Sequence, residues 1–329
     1  SSQVFPTPFL IVGFDPDFQY PNIHQWNVTL EQSVRSSMVA RVTYQGSAGR
    51  RLFHAAELNP ALFGPGADRT NTDRRRPRPE FTQINFSGTY GRANYHALVF
   101  SLERRISSGL TFLAGYSWQK SLDILSSTSF EGNGNTYPFG SIDRDYGVSN
   151  FDRTGRFTAS FNYALPSPVK TGVGKHLLGG WQTNGIIGLQ TGAPLTISTG
   201  VDNSLSGIGQ DRVDIIGDPR LPGGRPRGER ILRWFNTDAY RENALGTFGT
   251  LGRNTARGPR SATVDFSAFK KFRLPYAESH SLEFRAEFFN LFNRVNLGNP
   301  TTSRVSGLFG RITGASDPRI LQFGLRYSF

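Results

Sequence analysis

The chain has 329 residues, 37% hydrophobic residues and a formal net charge of +12, with 37 glycines and no cysteine. The lack of cysteine excludes a disulfide framework, thiolate chemistry and a cysteine-based zinc site, and no run of 18 apolar residues supplies a transmembrane helix. The modest hydrophobic content fits a soluble protein or a membrane barrel, because only alternate strand residues of a barrel face lipid.

The first segment, Ser1 to Asp17, is an unfavourable place for a long membrane strand because it contains Pro6, Pro8 and Pro16. Its apolar stretch Phe9 to Val12 is short and follows no basic segment, so it does not have the pattern of a signal peptide. An outer-membrane protein needs an export signal, and we therefore expect the natural N-terminus to lie upstream.

Nine later segments alternate apolar and polar residues, beginning with Trp26, Val28 and Leu30, which share one face of an extended chain. The predicted strands are 24–34, 38–47, 93–106, 109–120, 155–165, 181–198, 262–273, 280–292 and 319–329. A soluble sandwich also alternates. Charges in the middle of the polar faces, strands of about ten residues and aromatic residues at strand ends favour an all-β, antiparallel transmembrane β-barrel.

This assignment predicts which side chains meet lipid and which line the lumen. The side chains expected to face outward are Phe161, Phe284, Phe323 and Leu325, and those expected in the lumen are Asn162, Glu283 and Arg326. Glu283, Arg285 and Glu287 form a charged stripe, and we predict a lumen ion network that joins them to Asp265 and Arg326. A transport path or a wall for plug docking is the functional alternative for this stripe.

Short and long connections alternate along the chain, as periplasmic turns and extracellular loops do in outer-membrane barrels. The short connections lie at Arg35 to Ser37, Ser107 to Gly109 and Pro275 to Ser279, with a medium one at 166–179. The long ones run over 47–78, 121–153, 200–261 and 293–318. We expect loops 47–80 and 200–261 to be extracellular and to carry any ligand specificity.

The positive charge includes one dense run, Arg74, Arg75, Arg76 and Arg78, inside a proline-rich loop. Nucleic-acid binding requires a compact basic face or a known motif, which the scattered arginines do not provide. An extracellular contact with anionic lipopolysaccharide or an acidic ligand fits these four arginines better.

Nine strands are an odd number, whereas single-chain bacterial barrels have even numbers. We therefore expect residues 1–329 to be the C-terminal part of one larger barrel domain, forming an open sheet with free edges at strands 24–34 and 319–329. The alternative is a small closed barrel with an extra strand from Ser1 to Asp17. The aromatic C-terminal Phe329 resembles the signal that barrel-assembly machinery reads.

Several motifs, in this order and spacing, resemble TonB-dependent receptor-like proteins of the Oar type over nearly the whole chain. They are Gln25 to Gln32, Val42 to Arg50, Asn94 to Leu98, Gly115 to Ser121, Phe151 to Phe157, Gly252 to Asn254, Arg257 to Pro259 and Arg285 to Asn293. The resemblance implies a bacterial outer-membrane location and a 22-stranded transporter-class barrel. It also implies a regulatory-like domain, a plug and TonB-type energy coupling N-terminal to this segment, and it implies no particular ligand.

No enzyme, cofactor or metal site is predicted. His24, His54, His96, His176 and His280 have no metal-ligand spacing and are expected at surfaces or interfaces. Gly132 to Asn135 and Asp143 to Asp145 carry oxygens suited to calcium, but no binding frame surrounds them, and a polar loop is the preferred interpretation. A structural or adhesive barrel without transport and a soluble carbohydrate-binding β-protein remain as alternative functions.

Overall fold

The structure is a computed structural model that describes residues 7–107, 109–126, 137–138, 140–209, 211–274 and 280–329. The strands in this part of the chain are β1 (Phe9–Phe14), β2 (Asn22–Arg35), β3 (Met38–Glu57), β4 (Phe81–Ser107), β5 (Leu110–Asp123), β6 (Gly147–Val148), β7 (Gly155–Ala164), β8 (Trp181–Gln190), β9 (Pro194–Leu195), β10 (Asp214–Ile215), β11 (Tyr240–Arg241), β12 (Ala256–Arg257), β13 (Ser261–Arg273), β14 (Ser281–Phe289) and β15 (Ile320–Ser328). The helices are α1 (Gly172–Leu178), α2 (Arg227–Leu232) and 3-10 turns at Asp73–Arg75, Ile142–Asp145 and Thr237–Ala239. None of the described helices is long and apolar enough to cross a membrane.

Nine long strands form an antiparallel wall in the order β15-β14-β13-β8-β7-β5-β4-β3-β2. Each long strand therefore pairs with the long strands next to it in the sequence, and the nine predicted strands are confirmed in number and order. This pairing gives the wall one end with mostly short connections and another, the loop end, where residues 58–80, 124–154, 191–260 and 290–319 connect the strands.

The strand register collects the apolar residues on one face of the wall. Val42 lies opposite Phe100, which lies opposite Tyr116, and Phe157 and Leu189 continue the row on β7 and β8. Polar residues meet on the other face, where Glu31 lies opposite Arg41 and Glu283 lies opposite Arg326. The period of two in the sequence is thus carried across neighbouring strands.

The apolar face is not packed into a core. Phe323 and Leu325 on β15 are 65% and 68% exposed. The buried hydrophobic cluster lies instead in the loop-end segments and consists of Ile197, Val213, Phe235, Ala239, Tyr240, Leu251 and Phe309. An exposed apolar face over a wall of this kind is what lipid contact requires.

The wall is open within the described residues, because β2 and β15 stand at opposite ends of the strand order. The N-terminal β1 pairs in parallel with the loop-end part of β4, with Phe9 opposite Phe81 and Phe14 opposite Ser87. It does not join β15. The expected open sheet is confirmed, and the small barrel closed by residues 1–17 is wrong.

Four predicted boundaries differ from the structure. The loop expected from 47 begins only after Glu57, and β4 starts at Phe81 rather than at 93, because β3 and β4 stay paired as far as Glu57 and Asn85 after passing an irregularity near Arg51. The predicted strand 181–198 ends at Gln190, and just beyond it the backbone at Gly192 lies so close to Gly258 that any side chain would collide with its carbonyl oxygen. β14 ends at Phe289 because Asn290 adopts a left-handed φ of 52°.

The medium connection between β7 and β8 contains α1, which lies against the turn end of the wall. The buried Lys270 of β13 donates hydrogen bonds from Nζ to the carbonyl oxygens of His176, Leu177 and Gly179 at 2.5, 3.1 and 2.5 Å. These are carbonyls at the C-terminus of α1, where a cation is favourable. The turn predicted at Pro275 to Ser279 lies outside the described residues, as does Ser108.

Candidate functional site

The loop end of the wall is joined by three ion pairs between distant parts of the chain. Each aspartate comes from residues 123–152 and each arginine from residues 212–257: Asp123 with Arg253, Asp145 with Arg212, and Asp152 with Arg257. The Asp152–Arg257 distance is 2.5 Å, and the first two pairs are almost completely buried. The loops on either side of β7 and β8 are thereby fixed to each other.

These buried charges are also hydrogen-bonded, which a buried ion pair needs if it is to offset the loss of hydration. Arg253 donates from Nε to the carbonyl oxygen of Asp145 at 2.9 Å. The carboxylate of Asp152 accepts from the backbone N–H of Ser121 at 2.8 Å. The buried ring of Tyr137 lies 5.0 Å from the Arg212 guanidinium and 4.3 Å from that of Arg144.

Three of the six paired residues belong to the motifs that carry the family resemblance. Arg253 and Arg257 come from the Gly252 to Asn254 and Arg257 to Pro259 motifs, and Asp152 comes from Phe151 to Phe157. Asn254, with a φ of 56°, donates from Nδ2 to Val148 O and Asn150 Oδ1 at 2.6 and 2.7 Å. These motifs therefore fasten the loops together.

A buried carboxyl lies in the same assembly at Asp211. It accepts hydrogen bonds from the backbone N–H of Ser204 and, at 3.1 Å, from Asn243 Nδ2. Burial raises the pKa of Asp211 above its ordinary value; the hydrogen bonds oppose this shift, and the nearby charge of Asp202 adds to it. Titration of this carboxyl therefore makes the stability of the loop-end segments depend on pH.

A basic cavity of about 860 Å³ opens at the loop end, beside the start of β13 and the end of β14. Five arginines line it: Arg227, Arg230, Arg257, Arg260 and Arg294. Trp234 forms part of the same lining, with its ring 5.0 Å from the Arg230 guanidinium. We call this feature the arginine cavity. It brings together residues separated by up to about seventy positions, and periodicity in the sequence does not reveal it.

The four arginines predicted to contact anions have different environments. Arg76 is buried and donates to Asn59 O at 2.7 Å and to Asp73 Oδ1 at 2.9 Å. Arg75 donates to Leu205 O at 2.7 Å and so ties the β3–β4 loop to the long loop before β13. Arg74 and Arg78 remain exposed. Only these last two side chains are available to an external anion.

The charged stripe on β14 contains part of the predicted lumen network. Arg285 lies 3.0 Å from Glu283 and 3.7 Å from Glu287. Arg326 lies opposite Glu283 in register and lines the same shallow depression. Asp265 accepts instead from the backbone N–H of Asn290 at 2.8 Å, where it fixes the end of β14.

The remaining predicted positions have structural surroundings. Asp145 and Asp143 pair with Arg212 and Arg92 rather than lying together as ligands, and Gly132 to Asn135 lie outside the described residues. Within the described part of the chain, no group of three or more acidic, histidine or cysteine side chains is arranged to hold a metal. His54 was expected at a surface or an interface, but it is fully buried on β3, opposite Gly88 of β4.

The C-terminal Phe329 is 88% exposed at the turn end of the wall. Its ring centroid lies 6.0 Å from that of Tyr327 and 6.5 Å from that of His280. The last aromatic residue therefore follows the edge strand β15 without entering a core.

Comparison with known proteins agrees with this architecture. The sequence model of a family described as an outer membrane beta barrel domain matches residues 1–322. Among curated protein sequences, none matches the chain.

Solved outer-membrane proteins are similar to this chain at low identity. The outer membrane transporter YddB from Escherichia coli has a TM-score of 0.50 and 11% identity, over 95% of this chain and 33% of that one. The FrpB iron transporter from Neisseria meningitidis has a TM-score of 0.44 and 13% identity, over 97% and 33%. BauA, the ferric preacinetobactin receptor from Acinetobacter baumannii, has a TM-score of 0.45 and 10% identity, over 93% and 29%. The chain thus spans about a third of the length of these structures.

Proposed function

Because the chain belongs to the outer membrane beta barrel domain family, and so to the bacterial outer membrane, we propose that it is the barrel portion of a TonB-dependent receptor-like transporter. Its role is to bind a ligand on the extracellular side and to admit it, without enzymatic chemistry. The observation that carries this proposal is the loop end, which has its own hydrophobic cluster and buried ion pairs. A barrel whose loops serve only as connections does not need such a rigid platform.

The nine-strand wall is the C-terminal part of a larger barrel in this proposal. The backbone groups at the outer edges of β2 and β15 need hydrogen-bond partners in a bilayer, because no water is available there. Further strands of the same protein supply them, and a plug precedes the barrel. A structure of the full-length protein in which β2 and β15 pair with each other would contradict this part of the proposal.

Energy coupling is tested on the full-length protein in intact cells. A photo-reactive residue placed in the predicted coupling segment upstream of the barrel should form a covalent adduct with the host TonB protein. A matched probe in the exposed loop at Arg74 should form none. Correct membrane insertion without any TonB adduct would favour the alternative, a structural or adhesive barrel without active transport.

Two further contacts belong to the same proposal. Arg74 and Arg78 meet anionic lipopolysaccharide outside the cell, and Phe329 serves the barrel-assembly machinery. Replacing both arginines with serine should weaken lipopolysaccharide binding at low salt, where screening is weakest. Deleting Phe329 from the full-length protein should lower the amount inserted in the outer membrane, and unchanged insertion would remove that role.

A further inference from the structure

The arginine cavity gathers several arginines that have no carboxylate partner around one space. Six arginines elsewhere in the loop-end assembly have a carboxylate partner: Arg76 with Asp73, Arg212 with Asp145, Arg220 with Asp218, Arg233 with Asp238, Arg241 with Asp214, and Arg253 with Asp123. Within the cavity, Asp152 neutralises Arg257. In the part of the chain that the structure describes, Arg227, Arg230, Arg260 and Arg294 form no ion pair.

The lining also contains no aspartate or glutamate. Four guanidinium groups around one space repel each other, and a guanidinium cannot lose its proton to relieve that repulsion. An anion bound between the four guanidinium groups would replace this electrostatic repulsion with attraction. The guanidinium fork also offers paired N–H donors that match carboxylate and phosphate oxygens in a bidentate arrangement.

The backbone that carries these arginines is held by specific contacts. Trp234 donates from Nε1 to Arg257 O at 2.7 Å, and its backbone N–H donates to Gly310 O at 2.8 Å. The Arg294 N–H donates to Asn290 Oδ1 at 2.9 Å, while the Asn290 side chain donates back to Arg294 O at 2.9 Å. The backbone of Arg257 and of Arg294 is thus held in place, while the side chains of Arg227, Arg230, Arg260 and Arg294 are exposed to a ligand.

We propose that the arginine cavity binds a small polyanion, a solute or headgroup carrying two or more phosphate or carboxylate groups. Its volume of about 860 Å³ lies within the usual range of small-molecule sites, about 300–1,000 Å³. The recognised chemistry is a cluster of anionic oxygens, which a free solute and the phosphates of lipid A both provide. This inference rests on the proposed function, because it names the chemical class of the ligand that the loop end would bind.

Binding can be measured without transport, and so the two proposals can fail separately. The full-length protein in detergent is titrated calorimetrically with pyrophosphate and with citrate at low salt. Pyrophosphate or citrate should bind, and the affinity should fall as salt is raised. If neither anion binds to the folded protein, the proposal is overturned even if TonB adducts form.

A matched pair of double variants locates the site. Arg230→Gln with Arg294→Gln removes two charges from the cavity, whereas Arg35→Gln with Arg51→Gln removes two exposed charges outside it. The cavity variant should lose affinity by about tenfold for each guanidinium removed, and the control should stay within about twofold. Equal losses in both variants would show nonspecific charge attraction and would overturn the proposal.

Two controls complete the experiment. The ligand-free cavity variant should melt at the same temperature as the wild type or higher, because removing like charges relieves repulsion. If it melts at a lower temperature, the lost binding could come from damaged folding, and the variant Arg230→Lys with Arg294→Lys is then measured. Restored affinity in that variant supports the proposal, and unrestored affinity overturns it. Lipopolysaccharide micelles form the second arm. If lipopolysaccharide competes with pyrophosphate and the cavity variant abolishes this competition, the natural ligand is the lipid headgroup. If pyrophosphate binds without such competition, the natural ligand is a free solute.

Discussion

The wall and the loop end of this protein are stabilised in opposite ways. Charges of the wall pair within one strand or between adjacent strands, such as Arg285 with Glu283 and Arg41 with Glu103, and remain partly exposed. The buried ion pairs of the loop end join distant stretches of chain, such as Asp123 with Arg253, which are 130 residues apart. The wall therefore follows from a local pattern repeated many times, whereas the loop end depends on a few contacts. Single substitutions should separate the two regions.

The largest effect is expected where one member of a buried pair is removed. Asp145→Ala leaves Arg212 buried without its carboxylate and should destabilise the loop end by about 3–5 kcal/mol. Hydrogen exchange should increase in residues 191–260 while the strands of the wall keep their protection. The double variant Asp145→Leu with Arg212→Met should recover much of the loss. Uniform exchange throughout the protein would argue that the two regions are a single cooperative unit.

The wall should instead be sensitive to which face is substituted. Phe323→Arg places a charge on the exposed apolar face and should lower the free energy of unfolding in lipid vesicles by about 2–4 kcal/mol. Gln322→Arg changes the neighbouring residue, whose side chain lies on the other face, and should cost far less. Urea unfolding of both variants measures the difference. Equal costs would contradict the assignment of the apolar face to lipid.

A smaller effect is expected at the turn end, where Lys270 holds α1. Lys270→Met removes three donated hydrogen bonds from the helix carbonyls and should cost about 1.5–3 kcal/mol. Amide exchange in residues 172–178 should rise, while the rest of β13 is unchanged. Lys271→Met is the matched control, because Lys271 is exposed on the opposite face. An equal rise of amide exchange in the Lys271→Met control would show that the effect comes from the lost charge alone.

The smallest effect concerns acidity at Asp211. Burial raises the pKa of this carboxyl in the folded state, so its contribution to stability is greatest below the unfolded pKa and is lost as pH rises through the folded pKa. Asp211→Asn cannot titrate and keeps an oxygen acceptor. The stability difference between wild type and variant, measured by melting from pH 4 to pH 7, should shift in favour of the variant as pH rises. A constant difference would exclude this titration.

The same contrast explains how much of the structure the sequence predicts. Leu321, Phe323 and Leu325 alternate with polar residues, and such local spacing was enough to identify the nine long strands and their order. The predicted ends failed at Glu57 and Gln190, where pairing with distant backbone decides how far the strand continues. Alternation does not report such tertiary pairing.

The candidate site was less accessible to prediction for a related reason. The run at Arg74 to Arg78 was conspicuous in the sequence, but two of its members satisfy internal carbonyls and carboxylates. Arg230 and Arg294 are isolated in the sequence and meet only in the folded protein. The concentration of arginines in residues 212–260 was the available signal, although it could not distinguish the paired from the unpaired ones.

The apolar face of β5 has a consequence for the thickness of the surrounding bilayer. Its lipid-side residues run from Leu110 to Trp118, and the next residue on that side is the exposed Lys120. Eight steps of strand extend about 27 Å, which a tilt of about 40° shortens to about 20 Å along the membrane normal. In a bilayer of long-chain lipids, the ammonium group of Lys120 would lie near the hydrocarbon. The bilayer around β5 would then have to become thinner, or the strand would have to tilt less. The wall is thus matched to a thin membrane, as the bacterial outer membrane is.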